Sequence, residues 1–387
     1  MTPANPEIAL VLAGGGARGA YEVGVLRELL PFLDARGERP GIIVGTSIGA
    51  LNGTFIASTM HEPADEAMER GIELWRGVRY SDICGPLVSV DQVARLVTYI
   101  SEVARIPCGT VRSLLGNAPM KATIGEKIDF DQLQRNVEAN QLSSIAVVAT
   151  SYATGESVAF HQSHDTSLRV ERDDKRAIRY EATPLDAVHV RASAAIPVFF
   201  PAVDVDGPGY GWYGDGGTRL NTPIKPALKL GARRVVVAAL NSSVDPDADP
   251  RREPDVFDGV AQFMQPLLTD QLLQDVATLA ARNQTAGQDV IPYILVAPKG
   301  RLAIGEIAQK VYEECFSGVG SVMDPESRDL ASLGRLVSAG RNATRGDLLS
   351  FLFFERVFAD RLIELGREDA RRFIAGVEDG DPWSVAA

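Results

Sequence analysis

The chain has 387 residues, 45% of them hydrophobic, and carries 39 Lys and Arg against 51 Asp and Glu, a formal net charge of −12. That length buries a full core and allows two or three domains by size alone, while the acidic balance gives no electrostatic reason to seek nucleic acid and disfavours an anionic surface on average. With 36 glycines and only 7% aromatic residues, the composition suits an α/β protein with many tight turns better than an all-β sandwich.

In chain order, Ile8–Ala13 is a continuous apolar run, the mark of a strand buried on both faces. Gly14-Gly15-Gly16-Ala17-Arg18-Gly19 follows, then a helical pattern with Val23, Leu26, Leu29, Leu30 and Leu33 on one side, closed by Gly37 and Pro40. The segment from Ile42 to Ser58 repeats the strand, glycine turn and helix. Two such units in succession predict a parallel sheet with right-handed crossovers. Residues 61–142 read as mostly helical, with no strand. Ser143–Tyr152 is a further buried strand, paired in a hairpin with the run Glu156–His161. Arg233–Asn241 and Val290–Pro298 complete a sheet of five or six strands, and Ser242–Asp255 is an exposed polar loop. The reading is one α/β domain with a helical extension from about residue 300.

Cys84, Cys108 and Cys315 are odd in number and widely spaced, so neither a disulfide framework nor a metal site is expected. The first apolar run is too short for a signal peptide or a spanning helix and lacks a basic flank. A cytoplasmic protein is expected.

Gly45-Thr46-Ser47-Ile48-Gly49 has the G-x-S-x-G form between strand and helix. In a nucleophile elbow the positions two before and two after the serine must be small, because the two backbones come close there. The helix N-terminus beneath the serine favours developing negative charge. The other reading is a strand-to-helix turn with a serine cap.

The run Gly14–Gly19 also matches G-x-G-x-x-G, the dinucleotide fingerprint. That motif expects an acidic residue after the second strand, and none stands there. Consecutive glycines can instead expose backbone N–H groups as an oxyanion hole, with Arg18 adding charge or bracing the loop.

Asp215 in Asp-Gly-Gly is either a hairpin turn or a base for an exposed serine. The four histidines, His61, His161, His164 and His189, sit in no motif-like setting, and surface residence is expected for His161 and His164. A Ser–Asp dyad is then the economical proposal. Arg191–Val203 reads as close helix packing followed by a rigid turn, with a share in shaping an acyl pocket.

GGGARG at 14–19, GTSIG at 45–49, ASAAIP at 192–197 and DGG at 215–217, in this order, resemble the patatin-like phospholipase family in its bacterial form. The resemblance covers roughly residues 7–300 and implies a three-layer α/β/α sandwich with a mostly parallel central sheet. It implies that Ser47 is the nucleophile, Asp215 the base, and Gly14, Gly15 and Gly16 the oxyanion hole. Arg18, Gly19, Gly45, Ile48, Gly49, Gly216 and Gly217 support them.

The implied activity is hydrolysis of acyl esters of lipids, of phospholipase A or lysophospholipase type, through an acyl-enzyme. No catalytic histidine, metal or cofactor is expected. The partners expected are a lipid substrate and a transient membrane surface, with no nucleic acid. A nucleotide-binding module using GGGARG and a lipid transacylase are the alternatives. The expected domains are a catalytic unit at 7–300, with a helical insertion at about 61–142, and a helical extension at 301–387 packed on it. Val256–Asn283, Leu348–Leu365 and the stretch 98–121 with Arg105, Arg112 and Lys121 are candidates for a lid or lipid contact, with core packing the favoured role for the apolar helices.

Overall fold

A continuous apolar strand needs cover on both faces, and the first strand has it. The computed structural model describes residues 4–85, 113, 116, 118–240, 271–284, 290–300, 303–318, 327–338, 344–377 and 380–385. In it, β1 (Asn5–Leu12) sends Ile8, Leu10 and Leu12 into one apolar layer and Ala9 and Val11 into the other. After it come α1 (Gly19–Ala35), β2 (Pro40–Thr46) and α2 (Ile48–Ser58), the two expected strand–turn–helix units.

Helices α3 (Ala64–Gly77), α4 (Tyr80–Ile83), α5 (Ala118–Lys127) and α6 (Phe130–Glu138) follow, with no strand among the described residues of this stretch. The next elements are β3 (Ser144–Ser151), β4 (Ser157–Ser163), β5 (Ile178–Ala182), α7 (Ala187–Ser193), β6 (Val203–Val205) and β7 (Gly211–Asp215). Then come α8 (Ile224–Lys229), β8 (Arg234–Ala238), α9 (Gln271–Asn283) and β9 (Tyr293–Val296). Helices α10 (Ala303–Cys315), α11 (Arg328–Ser338), α12 (Thr344–Leu352) and α13 (Arg356–Val377) end the described chain.

The described strands form a nine-stranded sheet in the order β5-β4-β3-β2-β1-β8-β9, with the β6–β7 hairpin attached to β3. Strands β3, β2, β1, β8 and β9 are mutually parallel, and β3–β4 is the expected antiparallel hairpin. The sequence predicts five or six strands. The additional ones are the short β5, β6 and β7, and glycines interrupt the alternation of Gly-Trp-Tyr-Gly-Asp in β7, which weakens its strand signal.

One face of the sheet is covered by α1, α2, α3 and the C-terminal helices, through Tyr21, Leu26, Ile56, Ile72, Leu349 and Phe358. The other face is covered by α8 and α9, through Ile224, Ala227, Val276 and Leu279. This is the expected three-layer sandwich.

Leu349, Leu352, Phe353, Phe354, Phe358, Leu362 and Ile363 are all buried, so the apolar run Leu348–Leu365 is core. Helix α13 crosses α1 in backbone contact: a Cβ on Gly24 would lie 2.2 Å from the Ile363 carbonyl oxygen, and one on Gly366 would lie 2.3 Å from that of Tyr21. Among the described residues, no helix is long and apolar enough to cross a membrane.

His161 does not lie on the surface as expected: β4 carries it into the interior, where burial lowers its pKa. Cys84 is buried and Cys315 exposed, and neither takes part in a disulfide. Residues 256–268, Arg105, Arg112, Cys108 and the expected loop 242–255 lie outside the described residues.

Candidate active site

Register brings Ser47 and Asp215 together. Strand β3 pairs with β2 as far as Val148–Thr46, and β7 takes over at the next residue, Ala149–Asp215. The carboxylate therefore lands just beyond the end of the strand that delivers Ser47.

Ser47 sits between β2 and α2 with φ 54° and ψ −120°. A non-glycine residue in such a conformation costs on the order of 1–3 kcal/mol and persists only where its surroundings impose it. Here the backbones do so: a Cβ on Gly45 would lie 2.2 Å from the Gly49 carbonyl oxygen, and one on Gly49 would lie 2.4 Å from that of Leu12. Ser47 N–H donates to Ser193 Oγ at 2.8 Å, and Ser193 Oγ donates to the Val148 carbonyl at 2.5 Å.

Ser47 Oγ donates to Asp215 Oδ2 at 2.5 Å. Asp215 Oδ1 accepts from Gly217 N–H at 2.7 Å, and the Asp215 amide donates to the Ala195 carbonyl at 2.8 Å. Both residues are almost wholly buried, with Ser47 5% and Asp215 3% exposed. Desolvation pushes the Asp215 carboxyl up to about 6, although the bonds from Ser47 and Gly217 pull it down. Gly216 must be small, since a Cβ there would lie 2.2 Å from the Val148 carbonyl oxygen.

The glycine loop ends β1 beside this pair. Gly16 has φ 58°, and a Cβ on it would lie 2.1 Å from the Phe351 carbonyl oxygen in α12. Gly14 N–H already donates to Asn221, to Oδ1 at 3.0 Å and to the carbonyl at 3.3 Å. Of the two roles weighed for Arg18, the geometry is that of a brace. Its Nε donates to Ser350 Oγ at 2.7 Å, its Nη2 reaches Asp347 Oδ1 at 3.0 Å, and its guanidinium lies 3.9 Å from the Phe351 ring centre. Gly19 abuts the elbow, since a Cβ on it would lie 2.5 Å from Ile48 Cγ1.

Beneath the loop, Glu22 accepts from Ala13 N–H at 3.0 Å and from Asn52 Nδ2 at 2.8 Å, and burial pushes it up to about 8. It links the start of the loop to α2. Glu22, Ser193, Asn221 and Asp347 are not among the site residues expected from sequence. Ser193 lies inside ASAAIP, where it reads as packing.

Ser47 opens on a cavity lined in part by Gly16, Ile48, Leu51, Ala194, Ile196 and Phe200. Among the described residues, no group of three or more His, Cys, Asp or Glu side chains could hold a metal. A buried hydroxyl on a forced turn, bonded to a carboxylate of raised pKa beside an apolar cavity, is equipped for attack on an apolar ester.

The chain is similar to several known proteins. YjjU of Escherichia coli K12, an uncharacterized protein, is 27% identical over 356 residues, covering 90% of this chain and 81% of that protein. The patatin-like phospholipase domain-containing protein ZK370.4 of Caenorhabditis elegans is 47% identical over 68 residues, which is 18% of this chain and 4% of the worm protein's length. Among solved structures, VipD from Legionella pneumophila aligns with 94% of this chain and 67% of its own, at 14% identity and a TM-score of 0.32. Human GIVD cytosolic phospholipase A2 aligns with 96% and 60%, at 13% identity and a TM-score of 0.37. The patatin-like phospholipase family model matches residues 10–228, more than half of the chain. The chain therefore belongs to the patatin-like phospholipase family of lipid acyl hydrolases.

Proposed function

We propose that the protein is a serine hydrolase of lipid acyl esters working through a Ser47–Asp215 dyad. The observation that carries this is the 2.5 Å bond from Ser47 Oγ to a buried carboxylate whose pKa is raised to about 6. Asp215 takes the Ser47 proton as Oγ adds to the ester carbonyl. The proton then passes to the leaving alcohol, and an acyl-serine remains. Water gives its proton to Asp215 and attacks the acyl-serine, and the fatty acid leaves as Ser47 regains its proton. The oxyanion is assigned to the amides of Gly15 and Gly16, with that of Ile48 as a further donor at the α2 N-terminus. Gly14 acts by position, because its amide is spent on Asn221.

A phosphate cradle at Gly14–Gly19 fits less well. The Phe351 backbone backs Gly16, and Arg18 is turned into the core. Contact with a lipid surface is assigned to the β6–β7 hairpin, where Tyr210 is 83% and Trp212 50% exposed. Trp212 stands three residues before Asp215, about 10 Å along the strand. Trp212→Ala should lower activity on phospholipid vesicles more than on a dissolved ester, and an equal loss on both would remove the surface assignment.

The central test is fatty acid release from mixed phospholipid, lysophospholipid and neutral-lipid vesicles. Ser47→Ala and Asp215→Asn should each lower it on the order of 10⁴-fold or more in folded protein. Near-normal release by either folded variant would break the dyad.

A further inference from the structure

Glu22 is wholly buried, and the Ser47–Asp215 pair does not use it. A carboxyl withdrawn from water is costly unless its oxygens are hydrogen-bonded. Each oxygen of Glu22 accepts one bond: Oε1 from the Ala13 amide at 3.0 Å and Oε2 from Asn52 Nδ2 at 2.8 Å. Asn52 Nδ2 also donates to the Gly19 carbonyl at 3.1 Å. Ala13 and Gly19 stand at the two ends of the glycine loop. The pair therefore holds both ends, while Asn221, Phe351 and Asp347 support what lies between them.

The same pair ties the loop to the elbow. Glu22 lies one turn into α1, and Asn52 lies one turn into α2, the helix that starts beside Ser47. Asn52 has a single workable orientation. Its Oδ1 accepts from Trp75 Nε1 of α3 at 3.0 Å, so turning the amide over would set N–H against N–H there and oxygen against oxygen at Gly19. Trp75 is itself fixed. Its ring lies against Gly19, where a Cβ would come within 2.8 Å of Cζ2, and it stacks on Phe354 with ring centres 6.3 Å apart.

We propose that Glu22 and Asn52 are positioning residues that set the loop amides of Gly15 and Gly16 against the oxyanion formed at Ser47. This rests on the hydrolase reading above. The two side chains act through the backbone at either end of the loop. What they fix is a contact made in the transition state, so their loss falls on kcat and not on KM.

The test reverses the polarity of the pair. In Glu22→Gln the side chain keeps its shape, but its NH2 group faces either the Ala13 amide or Asn52 Nδ2, donor against donor. In Glu22→Gln/Asn52→Asp the glutamine amide donates to the new carboxylate, its oxygen accepts from Ala13, and the carboxylate accepts from Trp75. Only the bond to Gly19 stays lost. The assay uses a dissolved p-nitrophenyl ester near pH 9, above the values of about 8 for Glu22 and about 6 for Asp215. Glu22→Gln should lower kcat about 10- to 100-fold with little change in KM. The double variant should recover about tenfold of that loss.

An alkyl trifluoromethyl ketone reports on the loop itself. Ser47 Oγ adds to its carbonyl carbon, the Ser47 proton goes to Asp215, and the carbonyl oxygen becomes an alkoxide facing the loop amides. Its affinity should fall in step with kcat in Glu22→Gln and return in the double variant. A smaller fraction of active enzyme would lower kcat and leave that affinity alone. Unchanged ketone affinity in folded Glu22→Gln protein would overturn the proposal and leave the hydrolase in place, as would a double variant no better than the single one. If Glu22→Gln does not fold, Trp75→Phe removes only the bond that orients Asn52 and should show a smaller loss of the same kind, with unchanged ketone affinity again the overturning result.

Backbone hydrogen exchange over residues 13–19 needs no substrate and separates this from the hydrolase reading. Faster exchange in Glu22→Gln that slows again in the double variant supports the positioning role even if no ester is cleaved. Equal exchange in wild type and both variants removes it.

Discussion

The turns that end β1 and β2 lie side by side on neighbouring parallel strands, and each leads into a helix across a glycine-rich corner. They differ in what holds them. The elbow at Ser47 is held largely from within its own unit and by β1, since Gly45 and Gly49 let β2, α2 and β1 touch backbone to backbone. The loop Gly14–Gly19 takes its support from afar: Asn221 binds the Gly14 amide, Phe351 backs Gly16, and Asp347 and Ser350 hold Arg18. The position of the hydroxyl is thus a local property, while the proposed oxyanion site is completed by C-terminal helices that lie outside residues 10–228.

The sharpest break in this comparison is Gly49→Ala. The new methyl meets backbone that no side-chain rotation can clear, so β1 and α2 must part. A loss of several kcal/mol is expected, in the range reserved for core overpacking and special backbone sites. Thermal unfolding should show it, and hydrolysis should disappear with it. An active, equally stable Gly49→Ala protein would show that the elbow has slack and is not locally determined.

Asp347→Asn acts on the other turn. It removes the charge opposite a buried guanidinium, and breaking such a pair costs about 3–5 kcal/mol. Asp347 and the Ser47–Asp215 bond lie on different elements, so the base should keep its surroundings. The expected result is a 10- to 100-fold lower kcat with little change in KM, and an acid limb whose midpoint does not move. A shifted midpoint would mean that the C-terminal helices reach the dyad itself and that the two turns are not separately supported.

The same division explains what could be read from the sequence. The elbow, the glycine loop and Asp-Gly-Gly are visible because close backbone approach demands small residues at set spacings, and that demand is local. Both flanking strands, β1 and β2, are visible as unbroken apolar runs, since a parallel strand covered on both faces has no polar side. Ser193 is hidden among the alanines around it: its value lies in reaching the Ser47 amide from another helix. Asn221 and Asp347 carry no periodic or motif signature, and their partners stand more than 200 and 300 residues away. Glu22 looks like an ordinary first-turn acid of α1, and only packing shows that it is buried beneath the loop.

The smallest effect expected is a gain in stability, and it tests the base directly. The Asp215 carboxyl has a pKa of about 6 in the folded protein, against 3.8 for an unperturbed aspartate. Between those values the folded chain keeps a proton that the unfolded chain has released, so stability falls as pH rises through this window. Above it the penalty is constant, about 3 kcal/mol for this net shift. Asparagine carries no such penalty. Its Oδ1 can still accept from Gly217, and its Nδ2 can donate to Ser47 Oγ in place of the bond now made. Asp215→Asn should therefore melt a few degrees above wild type at pH 8 and level with it near pH 4. Over the same range, wild-type kcat/KM should fall with acid to half its plateau near pH 6, because only the ionised carboxylate can take the serine proton. A gain independent of pH would mean that the carboxylate is not held at raised pKa.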